Sequence, residues 1–250
     1  MQYLKMLPYQ VREAIRNNTP AVLPLGVIEY HAEHLPLGTD CFTCIEAIRR
    51  VEEKHPDLVV LPPFYYGCAS LAVAAPEQNG TVHVDGAHII PVAEDIFRGL
   101  LRVGFRNIHA FIAHQTEEFA QGMPTDLSFR FAARHVIFEW LEKESGEGWW
   151  GTEKFASYYS GNNNPFAWIQ VHPIRCGSNA AAHKVKADHA GKTETSEVMK
   201  IYPELVEMDR IDGSLWFARP GREATAEFGD FALNCAAEDI EGILYKSTEK

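Results

Sequence analysis

Short apolar runs alternate along this chain with longer stretches in which apolar residues recur every three or four positions. The runs at residues 21–27, 58–61, 108–113 and 167–171 have the length of buried strands, and residues 58–61 are β-branched at the centre. After the first run, Ile45, Ile48 and Val51 recur among Glu46, Arg49, Arg50, Glu52 and Glu53. This predicts a helix over 40–55 with one inward face, capped by Thr39 or Asp40 and stopped before Pro56. Ile89, Ile90, Ala93, Ile96, Phe97 and Leu100 predict a helix over 89–103 that ends at Gly104. Residues 127–143, 191–202 and 234–246 read as further helices. Residues 64–85, with Gly67, Pro76 and Gly80, read as a long loop holding a short strand at 81–84. Residues 145–164 read as an aromatic-rich loop.

Strands that alternate with helices of this length specify an α/β architecture, a mostly parallel sheet with helices on both faces. No repeat, low-complexity tract or linker interrupts it, so residues 1–250 are expected to form one domain. Ligands of such sheets sit beyond the carboxyl ends of the strands.

Composition narrows the partners. With 34 acidic and 23 basic residues the net charge is −11, and no Lys/Arg cluster is present. Nucleic acid is therefore not expected as a partner. No apolar run reaches 18 residues, so no membrane span is expected. Five cysteines and an N-terminus without a continuous apolar stretch fit reduced thiols in a cytoplasm.

Three strand ends or turns carry chemistry. The first is Gly26-Val-Ile-Glu29-Tyr-His31-Ala-Glu33-His34-Leu-Pro-Leu-Gly-Thr-Asp40. In extended chain Glu29 and His31 project to one side, and Asp40 enters from the next helix, which makes a plausible divalent-metal site. A solvated polar turn, with Asp40 as a helix cap, is the plain alternative. The second is His114, at the end of the third run and followed by Gln115, Thr116, Glu117 and Glu118. It is a hydrogen-bonded edge residue or, beside the first cluster, a fourth ligand. The third is Asp188-His189-Ala190-Gly191-Lys192-Thr193-Glu194-Thr195-Ser196, where a histidine suited to proton transfer precedes a helix start. Its alternative is an ordinary turn in which Thr193 or Ser196 serves the backbone. Cys41-x-x-Cys44 has redox spacing but lies on an amphipathic helix, where buried free thiols are expected. Trp149, Trp150, Tyr158, Tyr159, Phe166 and Trp168 are read as packing, or as the wall of a substrate pocket.

Together these segments resemble the creatininase (creatinine amidohydrolase) family. The likeness spans residues 24–199 and rests on Leu25-Gly26 through Glu29-x-His31-x-x-His34-Leu35-Pro36, then Thr39-Asp40, Gly80-Thr81, His114, and His189-Ala190-Gly191-x-x-Glu194-Thr195-Ser196. It implies a three-layer α/β/α fold, a hexameric homo-oligomer, and two divalent ions, zinc or manganese with iron also suited to the ligand types. It implies further that Glu29 and His114 bind one ion, His31 the other, and Asp40 both, with His189 as proton shuttle and Glu194 as an acidic residue of the catalytic site. The expected activity is hydrolysis of a small cyclic or linear amide through a metal-bound hydroxide. The alternative within the family is carbon–carbon ring opening of a keto-inositol at the same site. Creatininase proper has a glutamate where this chain has Thr116, Gly-Pro in place of Ala32-Glu33, and a tryptophan near Val185. Creatinine is accordingly not the expected substrate.

Overall fold

The computed structural model describes residues 1–74, 77–114, 120–157, 164–175 and 185–245. Four short strands, β1 (Ala21–Leu25), β2 (Val59–Val60), β3 (Ile108–Ile112) and β4 (Ile169–Pro173), form one sheet in the order β2-β1-β3-β4. Every pairing is parallel, with Ala21 opposite Ile108 and Ile108 opposite Ile169. All four strands therefore deliver their following loops to one edge.

Alternation along the strands divides the core. Leu23, Leu25, Ile108, Ala110 and Ile112 point to one face. There they meet α4 (Gly86–Val103) and α5 (Pro124–Ser145) through Ile89, Ala93, Phe97, Phe129, Ala132 and Ile137. Val22, Val60 and Phe111 point to the other face, against Cys44, Ala47, Ile48 and Val51 of α2 (Thr39–Lys54) and Ala236, Ala237 and Ile240 of α7 (Ala226–Tyr245). The three-layer α/β/α arrangement expected from the sequence is the one observed. A helix the sequence reading passed over, α1 (Pro8–Arg16), starts with Pro at its first position and sends Ala14 into the first face.

Several boundaries differ from expectation. The cap of α2 is Gly38, which puts Thr39 and Asp40 inside the first turn. The Asp40 carboxylate is thereby released from capping and buried. Residues 81–84 join no sheet. Instead the Val82 amide donates to Ile28 O and the Val84 amide to Gly67 O, which straps this segment across the loop after β1. Gly80 turns into the strap with φ +82°, and a side chain there would strike Leu37. The long loop also contains one helical turn, α3 (Leu71–Ala74). α7 begins eight residues before the expected start, and Lys246 lies outside the described residues.

A buried cluster at the carboxyl edge

Glu29 and His31 lie in the loop that leaves β1. The Glu29 amide donates to Leu37 O, closing the loop, and the Tyr30 amide donates to Thr81 Oγ1 on the strap, at 2.9 Å. Ala32 follows His31 with φ +58°, a left-handed residue that turns the chain back. Asp40 comes from the first turn of α2, and His114 stands two residues past β3. The last segment precedes α6 (Lys192–Ile201). Asp188 accepts hydrogen bonds from the Thr193 and Glu194 amides (2.8 and 3.2 Å), taking the role its cap residue Gly191 has no side chain to fill. Thr193 Oγ1 donates to Lys186 O, and Ser196 Oγ donates to Lys192 O, so both hydroxyls also serve the backbone as the plainer reading supposed. Glu197, one turn on from Glu194 in α6, pairs with Arg175 beyond β4 and ties the helix to the sheet.

These elements bring five of the expected residues into one buried cluster, with His189 at its margin. Glu29 and His31 are fully buried, and Asp40, His114 and Glu194 nearly so. His114 Nδ1 lies 3.0 Å from Glu29 Oε2 and 3.2 Å from Asp40 Oδ2. His31 Nε2 lies 3.7 Å from Asp40 Oδ1 and 3.5 Å from Glu194 Oε2. Three overlapping trios, Glu29–Asp40–His114, His31–Asp40–Glu194 and Glu29–His31–His189, each offer donor atoms within 4.8 Å of one another. Glu29 Oε2, His31 Nε2 and Asp40 Oδ2 are buried without a hydrogen-bond partner. Such atoms carry a desolvation cost that a cation between them removes. Carboxylate and imidazole donors suit zinc, manganese or iron.

Hydrogen bonds fix the imidazole tautomers. A backbone carbonyl only accepts, so the contact of His31 Nδ1 with Glu29 O (3.0 Å) puts its proton on Nδ1 and turns the Nε2 lone pair into the cluster. By the same argument His189 Nε2 donates to Tyr30 O (3.1 Å) and leaves Nδ1 open. Burial would lower the His31 pKa, but Glu194, Asp40 and Glu29 outweigh it and raise it to about 10, so a cation that takes the Nε2 lone pair does so in exchange for a proton. Likewise Asp40 and Glu29 overcome burial at His114 and bring it to about 10. Burial, reinforced by the charge of His31, pushes His189 down to about 4, so it is a neutral base at pH 7. Burial, with Asp40 and Asp188 alongside, lifts Glu194 to about 8 against the pull of His31.

Other candidates fall elsewhere. Glu33 is exposed and accepts from the Tyr30 hydroxyl, while His34 Nε2 sits 3.0 Å from Thr195 Oγ1. Gln115, Thr116, Glu117 and Glu118 lie outside the described residues, as do Tyr158 and Tyr159. Trp149 packs into the core beneath α5, with Phe166 and Trp168 against that core, so the described residues of this aromatic loop wall no pocket at the cluster. The wall comes instead from a segment with no periodic signal. Trp216 and Phe217, with Val73, Met123 and Pro220, line a cavity of about 650 Å³ that opens onto Asp40, His114, His189 and Glu194. Phe217 stands edge-on to His189, ring centres 5.4 Å apart.

Cys41 and Cys44 are free and buried, and Cys44 Sγ donates to Phe111 O. Burial, aided by Asp40, raises both thiol pKa values, that of Cys44 to about 12. Thiolate is the reactive form. Titration of the native protein with a chromogenic disulfide should therefore leave both unmodified, and rapid labelling of either would contradict this placement.

The comparisons with known proteins converge on the same reading. Residues 5–240 match the family model for creatininase (creatinine amidohydrolase). The chain belongs to the creatininase family. It is thus a hydrolase of a family of metal-dependent amidohydrolases. A creatinine amidohydrolase of Pseudomonas putida is 26% identical over 196 residues, which cover 76% of this chain and 67% of that protein. A manganese form of creatininase superposes with TM-score 0.71 at 18% identity, covering 100% of this chain and 99% of the other. A Zn–Zn form of a creatininase variant gives 0.70 at 19%, covering 100% and 98%. At that identity the structural likeness speaks for the fold. Among the described residues no helix is long and apolar enough to cross a membrane.

Proposed function

We propose that this creatininase-family protein hydrolyses the C–N bond of a small cyclic or linear amide with divalent ions held at the buried cluster. The observation that carries the reading is the set of overlapping donor trios with unpartnered atoms, placed at the carboxyl edge of the sheet and open to one cavity. In this reading Glu29, His114 and Asp40 would hold one ion, and His31 together with Asp40 would hold the other. When bound, such ions activate water near neutral pH and draw electron density from a substrate carbonyl.

The chain's own groups account for the rest. His189, neutral and fixed by Tyr30 O, has Nδ1 free to carry a proton. Water adds to the carbonyl carbon and gives a proton to His189 Nδ1, the C–N bond breaks, and His189 passes that proton to the departing nitrogen. A cavity of about 650 Å³ has room for a small molecule and none for a folded partner. Val73, Met123, Trp216 and Phe217 make its walls largely apolar. They suit an amide with an apolar or planar body. A keto-inositol would set part of its hydroxyl rim against these apolar surfaces, with Ser70, Gln121 and Asp188 as the polar lining outside the cluster, which ranks the ring-opening alternative second.

Purified protein loaded with zinc or manganese, assayed against cyclic amides, formamides and keto-cyclitols, tests this directly. Turnover in an amide arm is expected; turnover of keto-cyclitols alone would transfer the proposal to the alternative, and activity on none would remove it. His189→Ala should lower kcat by about 10²–10⁴-fold with metal content unchanged. The cytoplasmic location read from the cysteines and the hexameric assembly implied by the resemblance join this proposal, and the mass in solution by light scattering checks the assembly.

A further inference from the structure

We infer that Glu194 is a protein ligand of the second cation, completing a His31–Asp40–Glu194 site. The inference rests on the metal-dependent reading above and changes the role of one residue: Glu194, expected only as an acidic residue of the catalytic site, becomes a metal ligand, and proton transfer stays with His189.

Two ligands each about 2.1 Å from one tetrahedral ion stand roughly 3.4 Å apart. His31 Nε2 is 3.5 Å from Glu194 Oε2 and 3.7 Å from Asp40 Oδ1, too far for hydrogen bonds and close to the separation of atoms that share an ion. The tautomer of His31 leaves only Nε2 as an acceptor, and that atom is fully buried without a hydrogen-bond partner. Asp40 faces both ways: its Oδ2 approaches His114 while its Oδ1 approaches His31.

Glu194 is held for this position. Its Oε2 accepts from the Ala190 amide at 2.7 Å, its own amide is bound by Asp188, and Ala190 turns with φ +51° to make the first contact. A carboxylate oxygen has a second lone pair, so the Ala190 contact leaves Oε2 able to bind a cation. The sequence supplies the complementary fact. Two residues past His114 the chain carries Thr116, whose neutral hydroxyl is a weak ligand. With Glu194 in the ligand set, the second site has two carboxylates and an imidazole without any contribution from that residue.

Chelator-stripped protein titrated with Mn²⁺, followed by calorimetry and by electron paramagnetic resonance of free and bound ion, decides the matter without an activity assay. The wild-type chain and Thr116→Ala should each bind two ions. Glu194→Gln keeps an acceptor for the Ala190 amide; it should bind one ion with wild-type affinity and the other about 100-fold more weakly or worse. Glu194→Asp retains the charge but withdraws the oxygen, and serves as second variant with the same selective loss should Glu194→Gln misfold by circular dichroism. Two ions at unchanged affinity in either folded Glu194 variant would overturn the inference, as would loss of an ion in Thr116→Ala. A wild-type chain that binds one ion also overturns it, while sparing the Glu29–Asp40–His114 site. A wild-type chain that binds none overturns the metal-dependent reading itself.

Discussion

Asp40→Ala protein is expected to emerge from metal loading without a bound ion and without detectable turnover, although it folds. Asp40 is the residue common to the two trios that flank it, with one oxygen toward His114 and the other toward His31. Its removal would leave each proposed ion position with only two protein donors, and would remove the negative charge placed between them. Other single substitutions at the cluster spare one side: Glu29→Ala leaves His31–Asp40–Glu194 complete, and Glu194→Gln leaves Glu29–Asp40–His114 complete. The folded state should survive because Asp40 does not cap its helix, whose N-cap is Gly38. Metal content by plasma mass spectrometry, paired with circular dichroism, is the check. A folded Asp40→Ala protein that retains both ions would mean that the carboxylate is not shared.

The second large effect concerns stability. Gly229 lies in the first turns of α7 where that helix crosses α6, and a Cβ placed there would meet Ser196 O at 1.9 Å, Ser196 C at 2.3 Å and Glu197 N at 2.8 Å. All three are backbone atoms and none can rotate away, so Gly229→Ala must push the helices apart. A cost of about 3 kcal/mol is expected, at the upper end for overpacking. For a chain of this length that lowers Tm by roughly 6–12 °C. The displacement also reaches the cluster, because α6 carries Glu194 and its Glu197 anchors to Arg175. Gly99→Ala is the matched control. Gly99 sits on the exposed side of α4 with nothing within 4 Å of a Cβ, and its replacement should add up to about 1 kcal/mol. Equal melting temperatures for the two variants would refute the close-crossing argument.

How much of this was legible beforehand follows from the range of each interaction. The strands and the helices on both faces are written in local periodicity, and α2, α4 and α5 lie close to where Ile45 to Val51, Ile89 to Leu100 and residues 127–143 placed them. The short helix α1 carries the same signal in Val11, Ala14 and Ile15, but over too few residues to stand out from its polar surroundings. Residues 81–84 have strand composition, yet their amide partners come from the Ile28 and Gly67 carbonyls, and no local pattern encodes that long-range choice. At the site, residue types and order announced Glu29, His31, Asp40 and His114. Their convergence depends on a parallel sheet that aligns the ends of β1 and β3, which spacing alone does not reveal. His34 and Glu33, equally prominent in the motif, are turned elsewhere by the left-handed Ala32. Trp216 and Phe217 gave no warning, since irregular chain with 3₁₀ turns has no period to read.

The parallel sheet also sets a timetable for the growing polypeptide. Glu29, Asp40 and His114 are all synthesised before α5 exists, whereas Glu194 follows some eighty residues later. If each trio holds an ion, the first nest is chemically complete long before the second, and a still later stretch, with Trp216 and Phe217, walls the cavity beside both. A nascent chain released early would thus carry the makings of one cation nest but neither the other nor the chamber in which a substrate could be held.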